Sequence, residues 1–236
     1  MPEPEPLILS IETATSACSV ALIRDGYIIG SESVDIWQRH NEVLPLIVER
    51  LLKACESSYP EINAVAVSIG PGSFTGLRVG LSYAKGIAVG AGIGVIPVNT
   101  LDALALTISS EKGNGSFLPM VTARRDEVFG CLYEKVDNDN FPAAKGDVFM
   151  GGIEKVVGIS GNQIQLCGPG CDALGESLSQ QIPGNMSIIN GVTAQADSVG
   201  LIGYRKWTTN PKEFSDFQDL EPQYLKEFTV KTKKSQ

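Results

Sequence analysis

Histidine is nearly absent from this chain: His40 is the only one in 236 residues. A His-x-x-x-His metal site is therefore out of reach within the chain, and a hydrolase triad would have to be built on His40 itself. Two further catalytic signatures are missing, the Gly-x-Ser-x-Gly nucleophile elbow and the Gly-Lys-Ser/Thr that closes a Walker loop. No uninterrupted apolar run reaches the ~18 residues of a membrane span, so no membrane association is expected. The cysteines Cys18, Cys55, Cys131, Cys167 and Cys171 are scattered and odd in number, which points to buried reduced thiols. Cys167 and Cys171 lack the two-residue knuckle spacing and a second pair, so no metal is expected there. The opening Met1-Pro2-Glu3-Pro4-Glu5-Pro6 has no basic segment and reads as a frayed leader, not a secretory signal.

Positive charge is also in short supply. The net charge is -8, with 43% hydrophobic and 19% charged residues. That balance is ordinary for a globular chain and excludes wholesale disorder. An acidic chain is repelled by phosphates, so stand-alone RNA binding is not expected. The one basic cluster, Lys231, Lys233 and Lys234, reads as a solvated tail, with RNA contact as the alternative.

What is present is a regular order of elements. Residues 7–11 form an apolar run suited to a buried strand, 16–23 are rich in β-formers, and Asp25-Gly26 marks a hairpin turn into a third strand at 27–34. Leu44, Ile47, Val48, Leu51, Leu52 and Cys55 share one helical face, with Asn41 as N-cap and Pro45 in or beside the first turn. A strand at 64–69, a helix at 76–91, a strand at 93–98 and a helix capped by Asn99 or Thr100 complete the first half. Three antiparallel strands followed by helical crossovers describe the ribonuclease-H-like half of an actin-like α/β fold. Residues 111–116 read as the junction, and the domains are expected at 1–105 and 106–236. In the second part, strands are expected at 117–122, 128–133, 165–167 and 187–189, a loop at 137–147, and helices after Gly168-Pro169-Gly170 and over 194–207. Strand, Gly-Pro-Gly, helix thus occurs twice, in line with a duplicated plan whose second copy is abbreviated.

The densest signal is Gly70-Pro71-Gly72-Ser73-Phe74-Thr75-Gly76-Leu77-Arg78-Val79-Gly80. Glycines and hydroxyls between a strand and a helix N-terminus can aim backbone amides at an anion, or they can simply satisfy a tight turn. Actin-like ATPases cradle phosphate on an Asp-x-Gly-Thr hairpin; here the stretch is Ile11-Glu12-Thr13-Ala14-Thr15-Ser16, with alanine at the glycine position. Its Cβ narrows the approach to a phosphate. Nucleotide binding by this chain alone is therefore not expected, and any contact would fall on Glu12, Thr13, Gly70, Gly72 and Thr75. Gly76, Gly80, Ala84 and Ala88 form a small-residue ridge at four-residue spacing. With the apolar face of the 44–55 helix, this ridge is either a contact surface for a partner or packing against the chain's own sheet.

Several strings resemble one family. They are Ile8-Leu9-Ser10-Ile11-Glu12-Thr13-Ala14-Thr15, Arg39-His40-Asn41-Glu42-Val43-Leu44-Pro45-Leu46-Ile47, the Gly70 to Gly80 run, Asn99-Thr100-Leu101-Asp102-Ala103-Leu104-Ala105 and Pro222-Gln223-Tyr224-Leu225-Lys226. All are similar to the TsaB (YeaZ) family of tRNA threonylcarbamoyladenosine biosynthesis proteins. The resemblance implies two ribonuclease-H-like domains in an actin-like fold, in the cytoplasm. It implies a non-catalytic scaffold subunit of the complex that transfers threonylcarbamoyl to the tRNA adenosine next to the anticodon. That subunit pairs with the catalytic TsaD, works alongside the ATPase TsaE, meets tRNA only through the complex and can homodimerise. No cofactor of its own is implied, although ATP or ADP could sit at the complex interface. The implied partner interface is His40, Leu44, Ile47, Val48, Leu51, Gly76, Arg78, Gly80, Tyr83 and Ala84, so that Gly80→Leu should block pairing while leaving the fold intact. The competing reading is an independent kinase or glycoprotease-type hydrolase on the same fold, with Glu12 as its carboxylate. One string departs from the family pattern: Thr122-Ala123-Arg124-Arg125-Asp126-Glu127-Val128-Phe129 lacks the usual aspartate and glycine and keeps Arg124 and Glu127.

Overall fold

A strand buried on both faces has no polar alternation to offer, and β1 (Leu7–Glu12) is such a strand, buried along its whole length. Around it the computed structural model, which describes residues 5–35, 39–136 and 139–223, builds a five-stranded sheet. β1 pairs antiparallel with β2 (Ala17–Arg24), which pairs antiparallel with β3 (Tyr27–Asp35). Asp25 and Gly26 both have positive φ in the connecting turn, as a tight hairpin requires. On its other side β1 runs parallel to β4 (Ile62–Gly70), and β4 runs parallel to β5 (Gly94–Asn99). The crossovers are helical: α1 (His40–Ala54), α2 (Phe74–Ala91) and, after β5, α3 (Thr100–Lys112). The Asn99 side chain caps α3 by accepting from Leu101 N–H at 2.8 Å.

The second sheet repeats this plan. β6 (Gly115–Arg124) pairs antiparallel with β7 (Glu127–Gly130), which pairs with β10 (Phe149–Gly151). On its other side β6 runs parallel to β11 (Ile164–Cys167), and β11 runs parallel to β12 (Met186–Ile189). The spatial orders β3-β2-β1-β4-β5 and β10-β7-β6-β11-β12 are therefore equivalent. α4 (Ile153–Val157), α5 (Pro169–Gln181) and α6 (Ala196–Thr209) stand where α1, α2 and α3 stand in the first half. This is the actin-like architecture of two ribonuclease-H-like units, with α4 cut to little more than one turn.

Alternation along the strands sorts the core into layers. Leu9, Ile11, Val65 and Val67 face α1 and α2, whereas Ile8, Ala64 and Ala66 face inward. α3 and α6 share one cluster with residues of both sheets, so they fill the middle of the molecule, and α5 covers the outer face of the second sheet. α6 belongs to the second repeat yet packs on the first sheet. It comes close because Gly200 and Gly203 carry no side chain: a Cβ at Gly203 would lie 2.5 Å from the Ala66 Cβ. The chain after α6 returns along the first unit, where Gln223 N–H donates to the Ile69 carbonyl at 2.7 Å.

Several expectations are corrected. α1 begins at His40 with no side-chain cap, so Asn41 lies inside the helix and Pro45 beyond its first turn. The junction is not a loop over 111–116, because α3 runs through the 105/106 boundary to Lys112 and β6 starts at Gly115. The strand expected at 128–133 divides into β7 and β8 (Tyr133–Lys135), which pair with different ends of β6. A two-residue strand, β9 (Ala143–Ala144), pairs with β8 inside the expected 137–147 loop. β10 and α4 were not foreseen. Residues 1–4, Tyr224, Leu225, Lys226 and the basic Lys231, Lys233 and Lys234 lie outside the described residues. Among the described residues no helix is long and apolar enough to cross a membrane. Those cysteines form no disulfide; Cys55 is half-buried and the other four are buried.

Candidate functional site

The glycine-rich run has a local purpose, which is to let the β1–β2 turn lie directly on the start of α2. Ser73 N–H donates to the Ala14 carbonyl at 2.8 Å, and Thr13 Oγ1 donates to the Gly76 carbonyl at 2.8 Å. A Cβ at Gly72 would stand 2.5 Å from the Ala14 carbonyl oxygen. At Gly76 it would overlap the Thr13 carbonyl oxygen, and at Gly80 the Thr13 hydroxyl. Ser73 caps α2, its Oγ accepting from Gly76 N–H at 3.2 Å.

Beneath the turn sits Glu12, completely buried. Ala14 N–H donates to Glu12 Oε1 at 2.6 Å, and the Ser68 hydroxyl donates to Oε2. Burial pushes its carboxyl up to about 7 against the pull of those donors. Burial and the nearby Glu12 charge push the Cys18 thiol up to about 12, which makes it an inert core thiol.

These contacts take up most of the expected nucleotide set inside the fold. Glu12 and Thr13 spend their polar atoms inside the fold, Gly70 faces the Gln223 backbone, and Gly72 is filled against Ala14. Of that set Thr75 alone faces open space. It lines a cavity of about 360 Å³ whose polar walls are Thr15, His40, Asn41, Ser73 and Thr75. Thr15, Asn41 and Ser73 were not singled out from the sequence as a group, because they come from three elements that only the fold brings together.

Part of the expected partner interface is likewise taken up inside the fold. Leu44, Ile47, Val48 and Leu51 are buried against the chain's own first sheet, as are Gly76, Gly80 and Ala84. A leucine at position 80 would run into Thr13, so Gly80→Leu is a folding lesion, not a clean test of pairing. What α1 and α2 present outward is different. Leu46 is 58%, Phe74 48% and Val89 75% exposed. The Arg78 guanidinium lies 3.7 Å from the centroid of the Phe74 ring. α2 also lines a groove of about 690 Å³ with Tyr59, the groove wall including Ser82, Tyr83, Gly86, Ile87 and Gly90. A Cβ at Gly86 or Gly90 would meet nothing within 4 Å. The outward small-residue ridge is therefore Ser82-Gly86-Gly90, adjacent to the one expected from spacing. Burial and the Tyr59 hydroxyl, 3.4 Å away, raise the Tyr83 phenol above its ordinary value, so it stays neutral.

The altered 122–129 string is the β6–β7 turn. Arg124 and Glu127 bond to each other across it, the Nη2 to Oε1 distance being 3.1 Å. Asp126 there takes positive φ. The exposed pair closes a hairpin, a role worth little energy.

The family model described as TsaD: tRNA N6-adenosine threonylcarbamoyltransferase matches residues 35–179. Over 131 residues the chain is 38% identical to the tRNA threonylcarbamoyladenosine biosynthesis protein TsaB of Escherichia coli strain K12, covering 56% of each. It is 30% identical over 127 residues to TsaB of Bacillus subtilis strain 168, covering 54% of this chain and 55% of that one. Over 179 residues it is 30% identical to the tRNA N6-adenosine threonylcarbamoyltransferase of Pediococcus pentosaceus, covering 59% of this chain and 52% of that one. The chain thus spans about half the length of the curated relatives it matches. The solved structure of YeaZ from Pseudomonas aeruginosa superposes with a TM-score of 0.79 at 24% identity, over 93% of this chain and 100% of that one.

Proposed function

Because the chain belongs to the TsaD family of tRNA N6-adenosine threonylcarbamoyltransferases and within it is similar to the TsaB (YeaZ) proteins, we propose that it is an accessory subunit of tRNA threonylcarbamoylation. It pairs through the outer face of α1 and α2 with a TsaD-type catalytic subunit. The observation that carries this reading is the outer surface of the two helices: Leu46, Phe74 and Val89 stand exposed on them, and α2 lines an apolar groove with an open glycine ridge. Exposed apolar surface of this kind is the usual mark of a contact site, and a ridge without side chains lets a second helix approach closely. With one histidine the chain has no His pair to hold a metal, so the transfer chemistry falls to the partner. In this reading the protein works in the cytoplasm, tRNA and TsaE are met in the complex, and ATP or ADP binds there.

The test is light scattering on size-exclusion chromatography with the cognate TsaD, the mixture and each protein alone, followed by an assay of tRNA threonylcarbamoylation. A mixed species that restores modification supports the reading; no mixed species with or without ATP overturns it. The chain run alone reports whether the same face makes a homodimer. Gly86→Arg is the clean variant. Its side chain enters open space, and replacing a helical glycine stabilises the fold by a few tenths to about 1 kcal/mol. Affinity for TsaD should nevertheless fall about 100-fold, because the ridge is filled. Unchanged affinity in this folded variant would place the interface elsewhere.

A further inference from the structure

The two helices at the middle of the molecule, α3 and α6, border a cavity of about 440 Å³ that also takes its walls from β5, β8, β9 and the turn at Pro211–Phe214. That volume is in the range of small-molecule sites. Its lining is largely apolar, built on the buried side chains of Leu106, Tyr133, Ile202 and Phe214. Pro97 comes from the first sheet and Tyr133 from the second, so only the assembled molecule makes this space.

Two charged side chains stand half-buried in that wall, Asp102 in the first turn of α3 and Lys206 in the last turn of α6. One bond holds each in place: the Tyr133 hydroxyl donates to Asp102 Oδ1 at 2.6 Å, and Lys206 Nζ donates to the Pro97 carbonyl at 2.7 Å. Asp102 Oδ2 and two of the three Nζ protons are then left without a hydrogen-bond partner among the described residues. Nor does either side chain form an ion pair there. Burial lowers the Lys206 ammonium from its ordinary value against the pull of the Asp102 and Glu213 charges. Arg205 also lines the cavity but is already engaged, 3.5 Å from Asp139 and over the Phe141 ring at 4.6 Å. Half-buried charges short of partners are costly, and a ligand that supplies both partners gains what the fold leaves unmade.

We propose that this cavity binds a small zwitterion with an apolar tail, a free α-amino acid, whose carboxylate meets Lys206 and whose ammonium meets Asp102. The tail rests on Leu106, Ile202 and Phe214. A neutral apolar compound would leave both charges unanswered, and a plain carboxylate or amine would answer one of them. The site shares no residue with the groove along Tyr83, Gly86 and Gly90, so it does not depend on the partner reading.

The test is isothermal titration calorimetry on the full-length chain with L-leucine and L-phenylalanine as probes. Two analogues take leucine apart: 4-methylpentanoate lacks the ammonium and isopentylamine lacks the carboxylate. At least one amino acid should bind saturably, and both analogues should bind about tenfold more weakly than leucine or not at all. Asp102→Asn removes the charge and keeps an acceptor for the Tyr133 hydroxyl, so it should fold and bind the amino acid about tenfold more weakly. Lys206→Met keeps the apolar stem and should weaken it by a similar factor. No saturable heat with either amino acid overturns the site. So does an analogue that binds as tightly as leucine, or a folded Asp102→Asn protein that titrates like the parent. None of these results bears on pairing with TsaD, which is measured separately.

Discussion

At about pH 8, Glu12→Gln is expected to melt well above the parent chain, and at pH 4.5 the two should melt nearly together. The cause is the buried carboxyl under the β1–β2 turn. Desolvation pushes it from 4.5 up to about 7, and the donors from Ser68 and Ala14 only partly offset the burial. Between those two values the folded chain holds a proton that the unfolded chain has released. Stability is therefore fully present below the unfolded value and is lost as pH rises through about 7. The loss above pH 7 amounts to about 3 kcal/mol, or roughly 6–12 °C for a chain of this size. Glutamine removes the charge and keeps the geometry: its carbonyl still accepts from Ala14 N–H, and the Ser68 hydroxyl can turn to accept from the amide. Thermal melts of both proteins from pH 4.5 to 8 give the comparison. Parallel curves would mean that Glu12 is ionised in the native state throughout, and that the turn rests on a charged acceptor instead.

The same glutamate illustrates what could be read in advance. An apolar run ending in Ile11-Glu12-Thr13 could be placed as strand followed by turn, because period and turn chemistry are local properties. The hairpin at Asp25-Gly26, the α3 cap at Asn99 and the doubled Gly-Pro-Gly were legible for the same reason. The use of Glu12 was not legible, since its partner Ser68 lies 56 positions away on β4. The two ridges of α2 show a subtler limit. Gly76-Gly80-Ala84-Ala88 and Ser82-Gly86-Gly90 are both columns of small residues at helical spacing. Periodicity finds such columns but does not say which of them meets the sheet; Thr13, arriving from β1, decides it. The Gly200 and Gly203 pair on α6 was likewise silent, because its target, the first sheet, belongs to the other half of the molecule. The start of α1 misled for a different reason. Asn41 has the right chemistry for a cap, but His40, inside the helix, is instead buried beside the turn.

Gly76→Ala should then be the most damaging exchange of its size in the first half, costing about 3 kcal/mol or more. One methyl group would overlap the Thr13 carbonyl oxygen, and this neighbour is backbone, so it cannot swing aside as a side-chain tip can. Relief requires α2 to move off the turn, which stretches the bonds from Thr13 Oγ1 to the Gly76 carbonyl and from Ser73 N–H to the Ala14 carbonyl. The loss outweighs the gain of up to about 1 kcal/mol that alanine brings to a helix interior. Gly86→Ala supplies the internal control: the same exchange on the same helix, with nothing within 4 Å of the new atom, should stabilise by that intrinsic amount. Denaturant unfolding of the two variants should therefore move the midpoint in opposite directions from the parent. If both move it upward, the turn yields at little cost and the glycine run is not a packing device.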